Sequence, residues 1–388
     1  MKKIFKYSML FAAALTLTLG FASCSSSDND DDKKEEPQVN VLNEKLQKVN
    51  EEFVDNTVVP TYRNLADYNK QLVEALNGMK SDADVEKACE YWKQSRKWWE
   101  FSEAFLFGPA GDYGIDPHTD TWPFDKTAFD RYMAKFNPSE DESDAAQLEE
   151  AIATGQNLTG FHAVEYLIFR EGQPRKFADI TANEAWFAKT AAQDLYLSSL
   201  KLVSAWGGEI SADEKKLLDD VEFDAKDYGE DFKKAGKAGS GYSSILLAST
   251  QIIAGAQDII GEVRDSKIGA PATGADKNYI ESPHAYNSIQ DFYDNIMSCK
   301  HALYGGSTID GSTPQPTSLI GICLNITQTK AAAQNVETKL DAALAAINNM
   351  KRPFVLNYTD QSAKDAMAAL DELDAALTSL NNILASYE

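Results

Sequence analysis

The sequence predicts an all-α fold, two helical bundles packed side by side. Three observations predict it. Apolar residues recur at helical spacing at both ends of the chain: Leu42, Leu46, Val49 and Phe53 near the start, and Leu370, Leu373, Leu377, Leu380 and Leu384 near the end. Steps of three and four place such residues on one helix face, and the second series suits a bundle seam. No sustained alternation of apolar and polar residues with turn signals argues for a sheet. Of the 388 residues, 43% are hydrophobic and 25% charged, enough apolar material for a large core.

The elements follow in order. A helix begins near Val41, and Pro60 should kink or divide it, because proline has no N–H to donate and its ring crowds the preceding turn. Ser81-Asp82 reads as the N-terminal cap of a helix running to Phe107 and stopped by Gly108-Pro109. Residues 108–123 read as an irregular loop. Shorter helices are expected at 124–136 and 142–154, and another from Thr159 to Gly172. Long helices are expected at 181–206, 211–236 and 241–265, with a polar loop at 266–281. A helix at about 283–304 should stop at Gly305-Gly306. After a loop from Ser307 to Pro316 come a helix at 317–350, a break around Pro353 and the last helix. The bundle halves are assigned to 40–236 and 237–388. A short echo links them: Phe105-Leu106-Phe107-Gly108 leads to Ile115-Asp116, and Ala302-Leu303-Tyr304-Gly305 leads to Ile309-Asp310.

The N-terminus reads as an address. Lys2, Lys3 and Lys6 precede an apolar stretch from Met9 to Phe21, too short for a comfortable spanning helix and typical of a signal peptide. Phe21-Ala22-Ser23-Cys24 resembles a bacterial lipobox, so residues 1–23 are expected to be removed and Cys24 lipidated. An acidic run follows, and residues 24–39 are expected to form a solvated tether. The expected location is the outer membrane, on its periplasmic or cell-surface face. Cys89, Cys299 and Cys323 remain, an odd number that gives no disulfide framework; buried free thiols are expected, with a Cys299–Cys323 bridge as the alternative.

Charge excludes some functions. Thirty-seven Lys and Arg stand against 60 Asp and Glu, a formal net charge of -23. A nucleic-acid binder needs a basic face, so no nucleic-acid partner is expected. With only four His and four Cys, any metal site must draw most ligands from Asp and Glu.

Four segments can carry chemistry. In Gly160-Phe161-His162-Ala163-Val164-Glu165, His162 and Glu165 are three apart on a helix and share a face. They can present an imidazole and a carboxylate to one ion, and Gly160 leaves room for a neighbouring backbone. In 96–105, Arg96, Trp99 or Glu100, and Glu103 share a face; Glu103 sits among apolar residues, where Arg96 can orient or neutralise it. The 112–123 loop offers Asp116 and Trp122 among further acids and His118. In 281–293, Ser282 before Pro283 reads as a helix cap, and Asn287 lies one turn before Asp291. A surface ion pair and ordinary capping are the bland alternatives for the second and fourth segments. No two-His zinc helix, Gly-x-Ser-x-Gly elbow, phosphate-binding loop or EF-hand loop is present.

Four stretches together, SRKWWEFSEAFLFGP at 95–109, IDPHTDTWPFD at 115–125, GFHAVEYLIF at 160–169 and ESPHAYNSIQDFYDNI at 281–296, resemble the imelysin, or M75 peptidase-like, family. The resemblance spans most of the chain in order. It implies two bundle-like halves with a site near their interface, and the family's Gly-x-His-x-x-Glu motif at Gly160, His162 and Glu165. By the same resemblance Glu103 and Arg96 join that site, and Ser282 and Asn287 face it from the second half. It further implies a link to bacterial iron uptake. No matching His-x-x-Glu pair occurs in the second half, so one site per chain is expected.

The expected function is a lipid-anchored protein binding a metal ion through His162, Glu165 and Glu103, iron in preference to zinc, for iron acquisition. An Asp from 112–120 or water would complete the sphere, and an iron transporter or receptor is the expected partner. The alternatives are a zinc metallopeptidase using the same residues, and a binding module for a peptide or siderophore-like ligand walled by Trp99, Trp122 and Tyr286.

Overall fold

The computed structural model describes residues 36–139, 141–153, 158–308 and 313–387. The leader, Cys24, the start of the tether and the Ile309-Asp310 end of the internal echo lie outside the described residues. The protein is all-α, two packed helical bundles. Among the described residues the only sheet is an antiparallel hairpin pairing Phe169 with Pro174 and Arg170 with Gln173. No described helix is long and apolar enough to cross a membrane.

In the first bundle, the Val59–Asn77 helix packs on the Asp82–Glu100 and Ala182–Ala205 helices, and the Gly160–Ile168 helix lies against the latter two. In the second, the Ile245–Glu262 helix packs on Ser288–Tyr304 and Gln361–Ala385, with Lys330–Asn348 beside them. The bundles meet where Asp82–Glu100 packs on Ser288–Tyr304. One apolar core runs from Leu42 to Leu384 and includes both predicted stripes.

Local signals hold where capping chemistry is explicit. The Ser81 side chain accepts the Asp84 N–H, and Thr181 with Glu184 forms a reciprocal capping box. Differences arise where a helix tightens, loosens or breaks. The first helix starts at Glu36, inside the expected tether, and Pro60 does not divide it. A π turn over Phe53–Val58 precedes Pro60, which then sits in the opening turn of Val59–Asn77, where a missing N–H costs little. The second bundle repeats the device. Ile245–Glu262 continues through a π turn at Val263–Ile268 into Gly269–Ala272, so half of the expected 266–281 loop is helical.

Other expected helices are shorter. The helix begun at Ser81 ends at Glu100, and a separate 3-10 turn carries Glu103–Phe105. The 108–123 loop holds two short helices, Pro109–Asp112 and Ile115–Thr119. The expected 211–236 helix breaks into Ala212–Asp220 and Tyr228–Lys233, and 317–350 into Leu319–Cys323 and Lys330–Asn348. The fourth segment departs most. Its helix starts at Ser288, so Ser282 is no cap; Ser282 and Tyr286 hold positive φ of 42° and 57° in a compact turn. Cys89, Cys299 and Cys323 are buried free thiols.

Candidate metal centre

Backbone approach builds the site. Gly160 has φ +74°, and a Cβ there would lie 2.2 Å from the Thr119 carbonyl oxygen. Only glycine lets the start of the Gly160–Ile168 helix meet the end of Ile115–Thr119, and this sets Asp120 beside His162. Gly255 does the same across the bundles: a Cβ would lie 2.1 Å from the Ala104 carbonyl, so the turn carrying Glu103 presses against Ile245–Glu262.

His162 is buried, with Nε2 3.1 Å from Asp120 Oδ1 and Nδ1 3.2 Å from Glu165 Oε2. Glu165 Oε1 accepts the backbone N–H groups of His284 and Ala285 at 2.7 and 2.8 Å. The positive-φ turn at 282–286 aims those two donors at the carboxylate. Glu165 therefore fixes the imidazole from behind, with the Nδ1 proton assigned from this hydrogen-bond pattern. Asp120 Oδ1 also accepts from Arg96 at 2.5 Å, and its Oδ2 accepts from the Trp99 indole at 2.9 Å.

Arg96 is buried and pairs with Glu100, Asp120 and Glu281. A second buried cation, Lys267, projects from the π turn to Glu281 at 3.1 Å, Glu100 at 3.6 Å and Glu103 at 4.0 Å. Asn295 donates to Glu100. Glu281 Oε1 serves both cations, while its buried Oε2 has no hydrogen-bond partner.

On one side these groups open to a cavity of about 290 Å³ lined by Glu103, Asp116, Asp120, Glu262, Glu281 and Lys267. Burial pushes the Glu103 carboxyl up, against the opposing pull of Lys267, and neighbouring acids add to the rise. Burial also raises Glu100, and with the charge of Asp120 it lifts Asp116 to about 7. Asp120 goes the other way. Burial opposes its charge, but Arg96 and then His162 outweigh that and hold it below the ordinary carboxylate range. His162 is raised to about 9, burial being overcome by its hydrogen bonds to Asp120 and Glu165. Acids thus outnumber the fixed cations around one cavity, and several resist ionising without further positive charge.

Two sets of ligand-capable atoms lie within 4.8 Å of one another: Asp120, His162 and Glu281, and Glu100, Glu103 and Asp120. Asp120 is common to both. The expected residues Glu103 and His162 enter one set each, while Glu165 enters neither. Asp116 and Trp122 line the cavity. Trp99 is fully buried and braces Asp120 rather than walling a cleft. Tyr286 packs over Gly172. Asn287 donates to Asp291 at 2.7 Å, and Asp291, with Ser282 beside it, lies 3.9 Å from Arg96, so these expected residues stand behind Arg96 while Glu262, Lys267 and Glu281 of the second half line the cavity itself. Glu281, Glu262 and Lys267 were not singled out from sequence. Lys267 carries no readable signal, because a π turn sets its direction, and Glu262 reads as one more acid at the end of a helix. Glu281 opens the 281–296 stretch, next to a Ser-Pro pair whose cap chemistry is the stronger local signal.

The donor set fits a hard or borderline cation: one imidazole nitrogen, several carboxylate oxygens, and a buried carboxylate oxygen without a partner.

The family model described as Imelysin matches residues 58–384. Iron-regulated protein A of Synechococcus elongatus is 29% identical over 262 residues, which is 67% of this chain and 64% of that protein, so the match spans less than two thirds of the relative's length. A solved structure described as an iron-regulated protein A precursor from Parabacteroides distasonis superposes with a TM-score of 0.74 at 25% identity, covering 88% of this chain and 95% of that one. An imelysin-like protein from Psychrobacter arcticum superposes with a TM-score of 0.58 at 14% identity, over 88% and 93% of the two chains, a likeness of fold.

Proposed function

This chain belongs to the imelysin family, and from that premise we propose that it is a cell-envelope lipoprotein that holds a metal ion, iron in preference to zinc, in the acid-lined cavity and serves iron acquisition. Asp120, His162 and Glu281 hold the ion, with Glu103 reaching it across the cavity. Glu165, expected from sequence as a ligand, instead orients the His162 ring. The observation that carries this reading is the buried, unpartnered Glu281 oxygen set beside Asp120 and His162. The names of the Synechococcus and Parabacteroides relatives favour iron. Cys24 provides the lipid anchor in the outer membrane, and a transporter or receptor for iron is the partner.

The chain's own residues give the site its properties. Arg96 and Lys267 neutralise part of the acid cluster, so the pocket folds before an ion arrives. The ion replaces the second proton of His162 and draws Asp116 and Glu103 into their charged forms, so uptake releases protons and strengthens as pH rises.

The test is iron, zinc and manganese binding by the purified protein beside Asp120→Asn and His162→Ala, each checked for folding by circular dichroism. The expected result is about one ion per chain in the parent and at least tenfold weaker binding in both variants, with iron held most tightly. Equal binding by all three proteins overturns the ligand assignment. Chelator-sensitive cleavage of an unfolded protein substrate overturns the binding role in favour of a peptidase.

A further inference from the structure

A larger cavity lies on the opposite side of the Ile115–Thr119 helix from the acid-lined one. It measures about 750 Å³, within the range of roughly 300–1,000 Å³ typical of small-molecule sites. Its walls come from separate helices: Val73 from Val59–Asn77, Leu148 from Asp144–Ala153, Leu197 from Ala182–Ala205 and Ile115 from the dividing helix. Tyr113, Leu217 and Val221, three of the large apolar side chains exposed on the described residues, gather at its mouth.

Two polar features point to a ligand. Thr190 is only 2% exposed, lines this cavity, and its hydroxyl has no hydrogen-bond partner. A hydroxyl buried without a partner costs on the order of 1–3 kcal/mol, which a ligand carbonyl or hydroxyl would relieve. The charges are mixed in sign. Lys70 and Lys201 line the cavity together with Glu74, Glu149 and Asp220, and His118 is already paired with Asp194 at 2.6 Å. With the His118–Asp194 pair set aside, three acids stand against two lysines, a near balance that selects no ion, in contrast to the acid-lined cavity, where five acids stand against Lys267 alone.

We propose that this cavity is a binding site for an uncharged, amphipathic small molecule, an apolar ring or chain bearing a carbonyl or hydroxyl that pairs with Thr190. The apolar body rests on Val73, Leu148 and Leu197, and the oxygen takes the Thr190 hydroxyl. The site is separate from the metal centre and does not depend on it.

The experiment titrates the full-length protein with Nile red, an uncharged dye with an apolar ring system and a carbonyl, and follows its fluorescence. Val73→Trp and Leu197→Trp fill the cavity from two different helices, so the test survives if one of them fails to fold. Thr190→Val removes the hydroxyl at nearly constant volume. Leu356→Ser alters an exposed apolar residue, 68% accessible, that does not line the cavity. Saturable one-site binding is expected, weakened at least tenfold by each folded filling variant and several-fold by Thr190→Val, with Leu356→Ser unchanged. Unsaturable binding by the parent, parental affinity in the folded filling variants or in Thr190→Val, or an equal loss in Leu356→Ser overturns the proposal.

Discussion

The five-residue Ile115–Thr119 helix divides two cavities of opposite character. Asp116 lines the acid cavity together with Asp120, four residues on; Ile115 and His118, three apart, line the apolar one. The helical repeat alone sorts the side chains into these pairs. The difference teaches how each space is kept open. The acid cavity is organised by charge: Arg96 and Lys267 sit among its carboxylates and offset part of the cost of gathering them. The apolar cavity is held by helix geometry, and its lining forgoes dispersion contacts that a filled core would make.

Removing a cation should therefore damage the acid side most. Arg96→Met leaves Glu100, Asp120 and Glu281 without their shared partner and is expected to cost about 3–5 kcal/mol, read by urea unfolding. A cost below about 1 kcal/mol would mean that the acids do not depend on it.

The acid side should also respond to pH. His162 is raised from 6.5 to about 9 in the folded state. Its contribution is complete below about pH 6.5, is lost as pH rises through about 9, and amounts to about 3 kcal/mol. Asp116, raised from 3.8 to about 7, acts in the same direction, since ionising it in the fold is disfavoured. The metal-free protein is expected to lose stability between pH 6 and 9 (roughly) and to regain it on adding iron. His162→Gln should flatten the upper part of that profile.

Gly160→Ala tests how the dividing helix is seated. With a positive φ and a Cβ 2.2 Å from the Thr119 carbonyl, the substitution must push the helix away. A cost on the order of 2 kcal/mol is expected, with weaker metal binding because Asp120 leaves His162. The smallest effect belongs to the apolar cavity. Val73→Leu adds one methylene into open space and should stabilise the protein by about 0.5–1 kcal/mol, with no change in metal binding.

Much of the scaffold was legible. The Leu42–Phe53 and Leu370–Leu384 stripes are buried, the cap at Ser81 stands where side-chain chemistry placed it, and the expected 181–206 helix runs from Ala182 to Ala205. The π turns before Pro60 and Pro271 were not legible, because periodicity read in steps of three and four carries no mark of one extra residue. That loss hid Lys267. At the site, the spacing of His162 and Glu165 put them together, and Gly160 signalled a close backbone. The partner of that approach, the Thr119 carbonyl, and hence the neighbouring Asp120, depends on tertiary contact that spacing cannot supply. Ser282-Pro283 misled for a similar reason. The pair has cap chemistry, but the turn is recruited to aim the His284 and Ala285 N–H groups at Glu165.

The most direct measurement is anomalous X-ray scattering at the iron edge from crystals of the iron-loaded protein. A single peak within bonding distance of Asp120, His162 and Glu281 is the predicted result. A peak elsewhere on the chain, or none at the acid-lined cavity in protein shown to carry stoichiometric iron, would contradict the account.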